Sequence, residues 1–143
     1  MTAHDLMTPN PMTVTPDATV AEAWDLMRES EVRHVPVVDR GALVGMVSDR
    51  DLARFDMGRL LMGEGAEALR HELGTPVVKV MTSDVIAVSP DTGLAEIIEL
   101  LVEHRIGALP VVRADTREVV GIVSYIDVLQ AVHASLGPGS EGE

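Results

Sequence analysis

The stretch Gly45-Met46-Val47-Ser48-Asp49-Arg50-Asp51 decides the fold, because the chain contains it again as Gly121-Ile122-Val123-Ser124-Tyr125-Ile126-Asp127. Each copy has a glycine, two apolar residues, a serine, two variable residues and an aspartate. Each copy also follows an apolar, β-prone run and precedes a helix-like run. This order predicts a strand that ends at the serine, with the aspartate in the first turn of the following helix.

The serine and the aspartate of this junction admit two interpretations. Both residue types cap helices, because they satisfy or complement the free N–H groups of the first helical turn. The same groups also suit a ligand, since N–H groups and a hydroxyl favour phosphate and a carboxylate can accept from both hydroxyls of a ribose. Because the serine and the aspartate occur in both copies, we favour the interpretation that they bind a ligand.

The duplication extends over most of the chain. Met7-Thr8 matches Met81-Thr82 at an offset of 74 residues, and this offset holds as far as Pro36-Val37-Val38 and Pro110-Val111-Val112. At the glycine of the motif the offset becomes 76. The second copy therefore has two extra residues, which we place in the turn at Arg113–Glu118. Two copies are too few for a solenoid, so a closed pair is expected.

The pattern within each copy predicts the order β-α-β-β-α. A short apolar strand precedes a helix with one apolar face, and the first of these helices begins with a capping-box pattern, Thr19 and Glu22. A continuous apolar run follows in each copy and predicts a buried, parallel strand. Trp24 is interpreted as a core or pair-interface residue, with a stacking platform for a ligand as the alternative. The predicted leading strands, helix faces and buried strands are Met12–Val14 and Ile86–Val88, Val20-Ala23-Trp24-Met27 and Leu94-Ile97-Ile98-Leu101, and Val35–Val38 and Leu109–Val112.

Composition narrows the class of protein. The 143 residues are 46% hydrophobic and 2% aromatic, include no cysteine and carry a net charge of −12. The core must be aliphatic, and both disulfides and thiol catalysis are excluded. The five histidines lack metal-ligand spacing, and no catalytic motif is present, so neither a metal site nor an enzyme is expected. Without a basic patch, a bilayer-length apolar run or a signal sequence, we expect a cytoplasmic protein that binds neither nucleic acid nor membranes.

These features set the expected domain organisation. Repeat 1 covers residues 1–60 and repeat 2 covers residues 79–135. A linker at residues 61–78 joins them, and a short helix is expected within Glu64–Leu73. The glycine-rich tail at residues 136–143 is expected to be disordered.

The ordered pieces HVPVVD, LVGMVSDRDL, ALPVV and VVGIVSYIDVL resemble a tandem pair of cystathionine-β-synthase (CBS) domains, a stand-alone Bateman module. The resemblance covers about Asp5 to Val132. It implies an α+β fold of α/β layers, in which two β-α-β-β-α repeats pack about a pseudo-twofold axis with two clefts between them. It also implies a homodimer, no required cofactor, and a regulatory ligand that is an adenine nucleotide (AMP, ADP or ATP) or S-adenosylmethionine.

The resemblance also implies the residues that line the clefts. The motif aspartate holds the ribose, the serine helps with ribose or phosphate, and the opposite repeat supplies an aliphatic base pocket. One cleft combines Ser48 and Asp51 with Met81, Thr82, Ile86, Ile106 and Gly107. The other combines Ser124 and Asp127 with Met7, Thr8, Met12, Val32 and Arg33.

The two clefts are expected to differ in charge. Arg33 and His34 lie where family members often contact phosphate, but their counterparts are Gly107 and Ala108. Arg50 is likewise matched by Ile126. The cleft that contains Arg33 should therefore prefer a more negatively charged ligand. The alternative for Arg33 is a surface ion pair.

Two functions from different classes remain open. The first is a regulatory module that senses an adenosyl compound and passes its binding state to an unidentified protein target. The second is a constitutive dimerisation or interaction module whose clefts stay empty. The apolar faces of the two long helices are expected to drive a homodimer, unless they are used between the repeats and leave the dimer to the second helices.

Overall fold

The computed structural model describes residues 1–53 and 66–137, with the side chains of residues 66–69 left aside. The predicted linker glycines Gly58, Gly63 and Gly65 and the tail beyond Gly137 lie outside the described residues. The elements in chain order are α1 (Ala3–Leu6), β1 (Thr8–Pro9), α2 (Val20–Ser30), β2 (His34–Asp39), β3 (Ala42–Ser48), α3 (Ala66–Leu73), a 3₁₀ turn (Val77–Lys79), α4 (Leu94–His104), β4 (Ala108–Val112), β5 (Val119–Ser124) and α5 (Tyr125–Leu136).

The chain divides into two compact units that do not follow the order of the sequence. The first-repeat unit comprises Met12–Val85. The second-repeat unit comprises Ile86–Glu143 together with Met1–Pro11. The N-terminal segment therefore packs with the second copy of the repeat, and the segment that precedes the second copy packs with the first.

Each unit contains a β-hairpin at the same place in the repeat. Strands β2 and β3 pair antiparallel in one unit, and β4 and β5 do so in the other, where β1 adds a third strand at the edge of β5. The prediction that these buried strands pair in parallel was wrong for the pairing of β2 with β3 and of β4 with β5. A short turn between consecutive strands permits only an antiparallel hairpin. Both hairpins carry an irregularity in register at the same point, between Val37 and Val38 and between Val111 and Val112.

The predicted leading strands are reduced to one parallel bridge each. Val14 pairs with Val37 in one unit, and Val88 pairs with Val111 in the other. The bridge to Val14 also explains why β2 can contain a proline. The carbonyl of Pro36 accepts from the N–H of Val14 at 3.1 Å, so its missing N–H faces the single bridge and not the hairpin.

The helices follow their sequence signals. Thr19 and Glu22 form the predicted capping box at the start of α2, and Trp24 packs half-buried against the core of its unit. The predicted linker helix is present as α3. The cores are aliphatic, as composition required. The buried clusters are Val20, Ala23, Met27, Val35, Val37, Val47, Leu52 and Val77 in the first-repeat unit, and Ala3, Leu6, Val88, Ile97, Leu101, Leu109, Val111, Val123 and Val128 in the second.

The two extra residues of the second copy lie in the hairpin turn, as predicted. Val38 pairs with Leu43, and the equivalent residue Val112 pairs with Val119, so four residues separate this pair in the first hairpin and six separate it in the second. In the longer turn the Arg113 guanidinium forms an ion pair with Glu118 at 3.2 Å. Both side chains are well exposed, so this pair contributes little to stability.

Candidate functional site

The repeated motif forms a strand-to-helix junction in the first-repeat unit. Strand β3 ends at Ser48, and residues 49–53 are helical. The N–H of Asp51 donates to the Ser48 hydroxyl at 3.1 Å, and the N–H of Ser48 donates to Oδ2 of Asp51 at 3.0 Å. These two bonds form a capping box, which satisfies two backbone donors that the helix start would otherwise leave without a partner.

The second-repeat unit contains the same junction. Ser124 ends β5 and caps α5, accepting from the N–H of Asp127 at 3.2 Å and donating its own N–H to Oδ2 of Asp127 at 2.8 Å. The capping interpretation is therefore correct for both serines. Capping occupies only one oxygen of each aspartate, because each capping box uses Oδ2. No bond among the described residues engages Oδ1. Each of these half-buried aspartates therefore keeps one carboxylate oxygen that has no bond to the described residues.

The Met-Thr dipeptide that opens each copy lies against the motif of the other copy. In the first-repeat unit Thr82 exchanges two backbone hydrogen bonds with Met46, at 2.9 and 3.0 Å. The side chain of Met81 covers Gly45, where a Cβ would overlap its sulfur. This glycine is needed for close approach, since its backbone is not in the left-handed region. Met81 and Thr82 are thereby brought together with Ser48 and Asp51 in one unit.

The second-repeat unit repeats this arrangement. Thr8 pairs with Ile122, and the side chain of Met7 covers Gly121, where a Cβ would again overlap the sulfur. Met7 and Thr8 thus lie in the same unit as Ser124 and Asp127. The role of these glycines was missed in the sequence, although a repeated glycine together with a repeated methionine is a signal that could have revealed it.

The remaining predicted site residues divide between the units. Ile86, Ile106 and Gly107 lie in the second-repeat unit. Met12, Val32, Arg33 and His34 lie in the first-repeat unit. Their predicted groupings across the two units stay predictions.

Inside its own unit, Arg33 lies beside the first junction. The N–H of Asp49 donates to the Arg33 carbonyl at 2.9 Å, and the N–H of Tyr125 donates to the Gly107 carbonyl at 3.0 Å. The two junctions therefore share a backbone frame but carry different side chains. Arg33 and Asp49 at the first junction correspond to Gly107 and Tyr125 at the second.

His34 gives the first junction a titratable group that the second lacks. It pairs across the hairpin with Ser48, whereas Ala108 pairs with Ser124. Burial lowers the pKa of His34 below its ordinary value of 6.5, and the carboxylates of Asp49 and Asp51 act in the opposite direction. The guanidiniums of Arg33 and Arg50 add to the lowering. The lowered pKa favours the neutral form of the His34 imidazole.

Within residues 1–53 and 66–137, no helix combines the length and the apolar character needed to cross a bilayer. Within the same residues, no three histidine or acidic side chains come together as a set of metal ligands.

The family model of the CBS domain matches residues 3–58 and 77–134. Among curated proteins, the chain is 35% identical over 124 residues to the CBS domain-containing protein YhcV of Bacillus subtilis (strain 168), covering 87% of this chain and 80% of YhcV. Other curated relatives are longer. The chain is 30% identical to an inosine-5'-monophosphate dehydrogenase of Methanocaldococcus jannaschii, but it spans only 23% of that enzyme's length.

Solved structures with the same fold include proteins that hold adenosyl ligands. The structure of CBSX2 in complex with AMP has a TM-score of 0.77 and 34% identity, covering 94% of this chain and 97% of CBSX2. The CBS domain pair of protein MJ0100, in complex with 5'-methylthioadenosine and S-adenosyl-L-methionine, has a TM-score of 0.76 and 25% identity. That match covers 92% of this chain and 99% of the other.

Proposed function

The chain belongs to the CBS-domain family and carries two such domains in tandem, and from this premise we propose that it is a regulatory module that binds an adenine nucleotide or another adenosyl compound. The ligand changes the state of the module, and a protein target reads that state. The proposal assigns no catalytic step to the chain. AMP, ADP, ATP and S-adenosylmethionine are the candidate ligands, and similar proteins crystallised with AMP and with S-adenosyl-L-methionine support this choice.

The observation that carries the proposal is the geometry of the two aspartates. Each carboxylate is held in place by a backbone N–H through Oδ2, and its Oδ1 is left for a ligand. A carboxylate only accepts hydrogen bonds, and the two hydroxyls of a ribose donate them. Because the cap already orients the carboxylate, little conformational entropy is lost when the ribose binds.

The apolar residues of the predicted clefts support the same ligand class. Met12 and Val32 are large apolar side chains with 54% and 38% of their surface exposed. Exposed aliphatic side chains of this kind are suited to cover a base, because an adenine ring offers an apolar face. We propose that they contribute to the base pocket of one cleft, and that Ile86 and Ile106 contribute to the pocket of the other.

Isothermal titration calorimetry against AMP, ADP, ATP, S-adenosylmethionine and adenosine tests the proposal. We expect saturable binding of at least one of these ligands and its loss in the double variant Asp51→Asn/Asp127→Asn. Asparagine is chosen because its Oδ1 can still accept the capping bond. If all these ligands fail to bind the folded protein, the regulatory proposal is wrong and the constitutive interaction module is favoured.

A specific observation supports a homodimer alongside the ligand site. Tyr125, Leu129 and Val132 lie at positions i, i+4 and i+7 of α5 and are 47%, 59% and 36% exposed. They form one apolar stripe on a helix surface. We propose that this stripe packs against a second copy of the chain. The long helices α2 and α4, from which we had expected the dimer surface, instead bury much of their apolar faces in their own cores.

A further inference from the structure

We propose that Met7 and Met81 are sites of reversible oxidation, one in each unit, and that a peroxide which converts their thioethers to sulfoxides loosens the segments that carry them. These lead segments are residues 1–9 and 75–83. The modification requires no bound ligand, so the inference goes beyond the proposed function. It gives a chain without cysteine a way to respond to oxidants.

The first step of the argument is access to the sulfur atoms. The chain has eight methionines and no cysteine, so no thiol competes with the thioethers for a peroxide. Met27 and Met46 are buried, with 5% and 8% of their surface exposed. Met7 and Met81 are half-buried and keep part of their surface in contact with solvent. A small oxidant can therefore reach these two methionines in the folded protein.

The second step is the contact that each methionine makes. The sulfur of Met81 occupies the space over Gly45 where a Cβ would otherwise lie, and the sulfur of Met7 does the same over Gly121. Both side chains also pack against the aliphatic core of their unit. A flexible, apolar thioether is suited to fill such a space. Each methionine thus attaches its lead segment to the strand that ends at the junction serine.

The third step is the chemistry of the modification. A lone pair of the sulfur attacks one oxygen of hydrogen peroxide and the O–O bond breaks. The proton on the transferred oxygen passes to the departing hydroxide, which leaves as water. The sulfur loses two electrons, the peroxide is reduced, and the product is a polar, chiral sulfoxide.

The fourth step is the effect of the sulfoxide on packing. The sulfur already fills the space over the glycine, so the new oxygen has no room there. A polar group held among aliphatic side chains without a hydrogen-bond partner is unfavourable by several kcal/mol less than a charge but still costs stability. The oxidised side chain must therefore move away from the glycine, and the lead segment loses its side-chain attachment.

The fifth step is what remains to hold each lead segment. In the first-repeat unit, Thr82 keeps its two backbone hydrogen bonds with Met46. In the second-repeat unit, Thr8 keeps its pairing with Ile122. Short backbone pairings of this kind open locally at a small fraction of the free energy of global unfolding. Oxidation should therefore act on the edge of the strand that leads into each Ser–Asp junction.

The experiment treats the full chain with hydrogen peroxide and follows it by peptide mass spectrometry and amide hydrogen exchange. We expect Met7 and Met81 to gain one oxygen each before Met27 and Met46 do. Exchange in residues 1–9 and 75–83 should then become about fivefold to thirtyfold faster. The melting temperature should fall by about 4–8 °C.

Leucine variants assign the effect to the two methionines. Met7→Leu/Met81→Leu keeps an apolar side chain of similar volume and cannot be oxidised there, so peroxide should leave its exchange and melting temperature unchanged. Its remaining methionines are those of the parent, so oxidation elsewhere cancels in the comparison. As a second test, each single leucine variant should protect only its own lead segment. Met12→Leu is the matched control, since Met12 is 54% exposed outside both segments, and it should respond to peroxide like the parent.

Reversal distinguishes a switch from damage. Methionine sulfoxide reductases of both epimer specificities, supplied with a thiol reductant, should return the oxidised parent to its original exchange rates and melting temperature. No recovery would overturn the claim of reversibility. Met7 and Met81 that stay unmodified after Met12 is fully oxidised would overturn the inference, as would sulfoxides at both with unchanged exchange. An equal loss of stability in the leucine double variant would also overturn it, because another methionine would then be responsible.

Discussion

At the scale of single residues, each motif aspartate has two tasks that share one side chain. Oδ2 of Asp51 and of Asp127 accepts the N–H of the capping serine, and Oδ1 is free of bonds to the described residues. Removal of the side chain therefore affects the helix start and the proposed ribose contact together.

Comparison of alanine with asparagine separates the two tasks. Asp51→Ala and Asp127→Ala should each lower the free energy of unfolding by about 0.5–2 kcal/mol, the range for loss of a helix cap. The asparagine variants should lose less stability. Both substitutions should weaken nucleotide binding by about 1.5–3 kcal/mol, because a hydrogen bond to a charged group is lost. Urea denaturation and calorimetry measure the two quantities, and an asparagine variant that binds like the parent would show that the carboxylate is only a cap.

His34 should also make the stability of the ligand-free protein depend on pH. Its pKa is lowered in the folded state, so between that value and 6.5 the unfolded chain binds a proton that the folded chain does not. Stability must then fall as the pH is lowered below about 6.5. Denaturant midpoints measured from pH 8 to pH 5 should fall more steeply for the parent than for His34→Asn. Parallel curves for the two proteins would contradict this assignment.

At the scale of elements, the two lead segments, residues 1–9 and 75–83, are exchanged between the repeats. The bonds they form match at an offset of 74. The Leu94 N–H donates to the Met1 carbonyl at 3.0 Å, and the Val20 N–H donates to the Thr75 carbonyl at 2.8 Å. Each segment places a methionine, Met7 or Met81, over a motif glycine. Each unit is therefore completed by a segment that precedes the other copy in the chain.

Alanine at the motif glycines tests this contact. Gly45→Ala and Gly121→Ala should each lower the free energy of unfolding by about 1–3 kcal/mol, the usual cost of overpacking, because the new methyl group meets the methionine sulfur. The double variants Gly45→Ala/Met81→Ala and Gly121→Ala/Met7→Ala should be less destabilised than the sum of their single changes. Gly93→Ala is the control, since a Cβ there meets no atom within 4 Å. Additive effects in the double variants would show that the methionines do not set the requirement for glycine.

At the scale of the whole molecule, the distribution of apolar surface determines how copies associate. The chain carries a net charge of −12, so two copies repel each other over most of their surface. Helix α5 has a stripe of exposed Tyr125, Leu129 and Val132 that contains no charged side chain. Association should therefore occur along α5 and strengthen with salt, because salt screens the repulsion.

Light scattering tests the role of this stripe. The parent should have twice the chain mass of 15.3 kDa at micromolar concentration. Leu129→Glu and Val132→Glu should shift it to the monomer, since each places a charge in the contact. Val102→Glu on α4 is the control, because this valine is 71% exposed and lies outside the stripe. A monomeric parent, or an equal response to all three substitutions, would rule out α5 as the interface.

Local patterns in the sequence were sufficient to predict the repeat, the Ser–Asp junctions, the capping box at Thr19 and the longer turn of the second hairpin. These features depend on contacts between residues at most a few positions apart, so residue type and spacing determine them. The same patterns predicted the apolar faces of α2 and α4. For the candidate site, they identified the serines and aspartates, and the family resemblance added the Met-Thr dipeptides.

Only the tertiary structure decided how distant segments combine. Whether Met81 covers Gly45 or Gly121 cannot be read from the sequence, because both glycines follow similar strands and both methionines precede a threonine. Their assignment depends on the path of the chain between the units. The environment of His34 is also a tertiary property, since its charged neighbours are Arg33, directly before β2, and the residues Asp49, Arg50 and Asp51 at the helix start after β3. Local pattern thus determined what each junction is made of, and long-range packing decided which charges surround it.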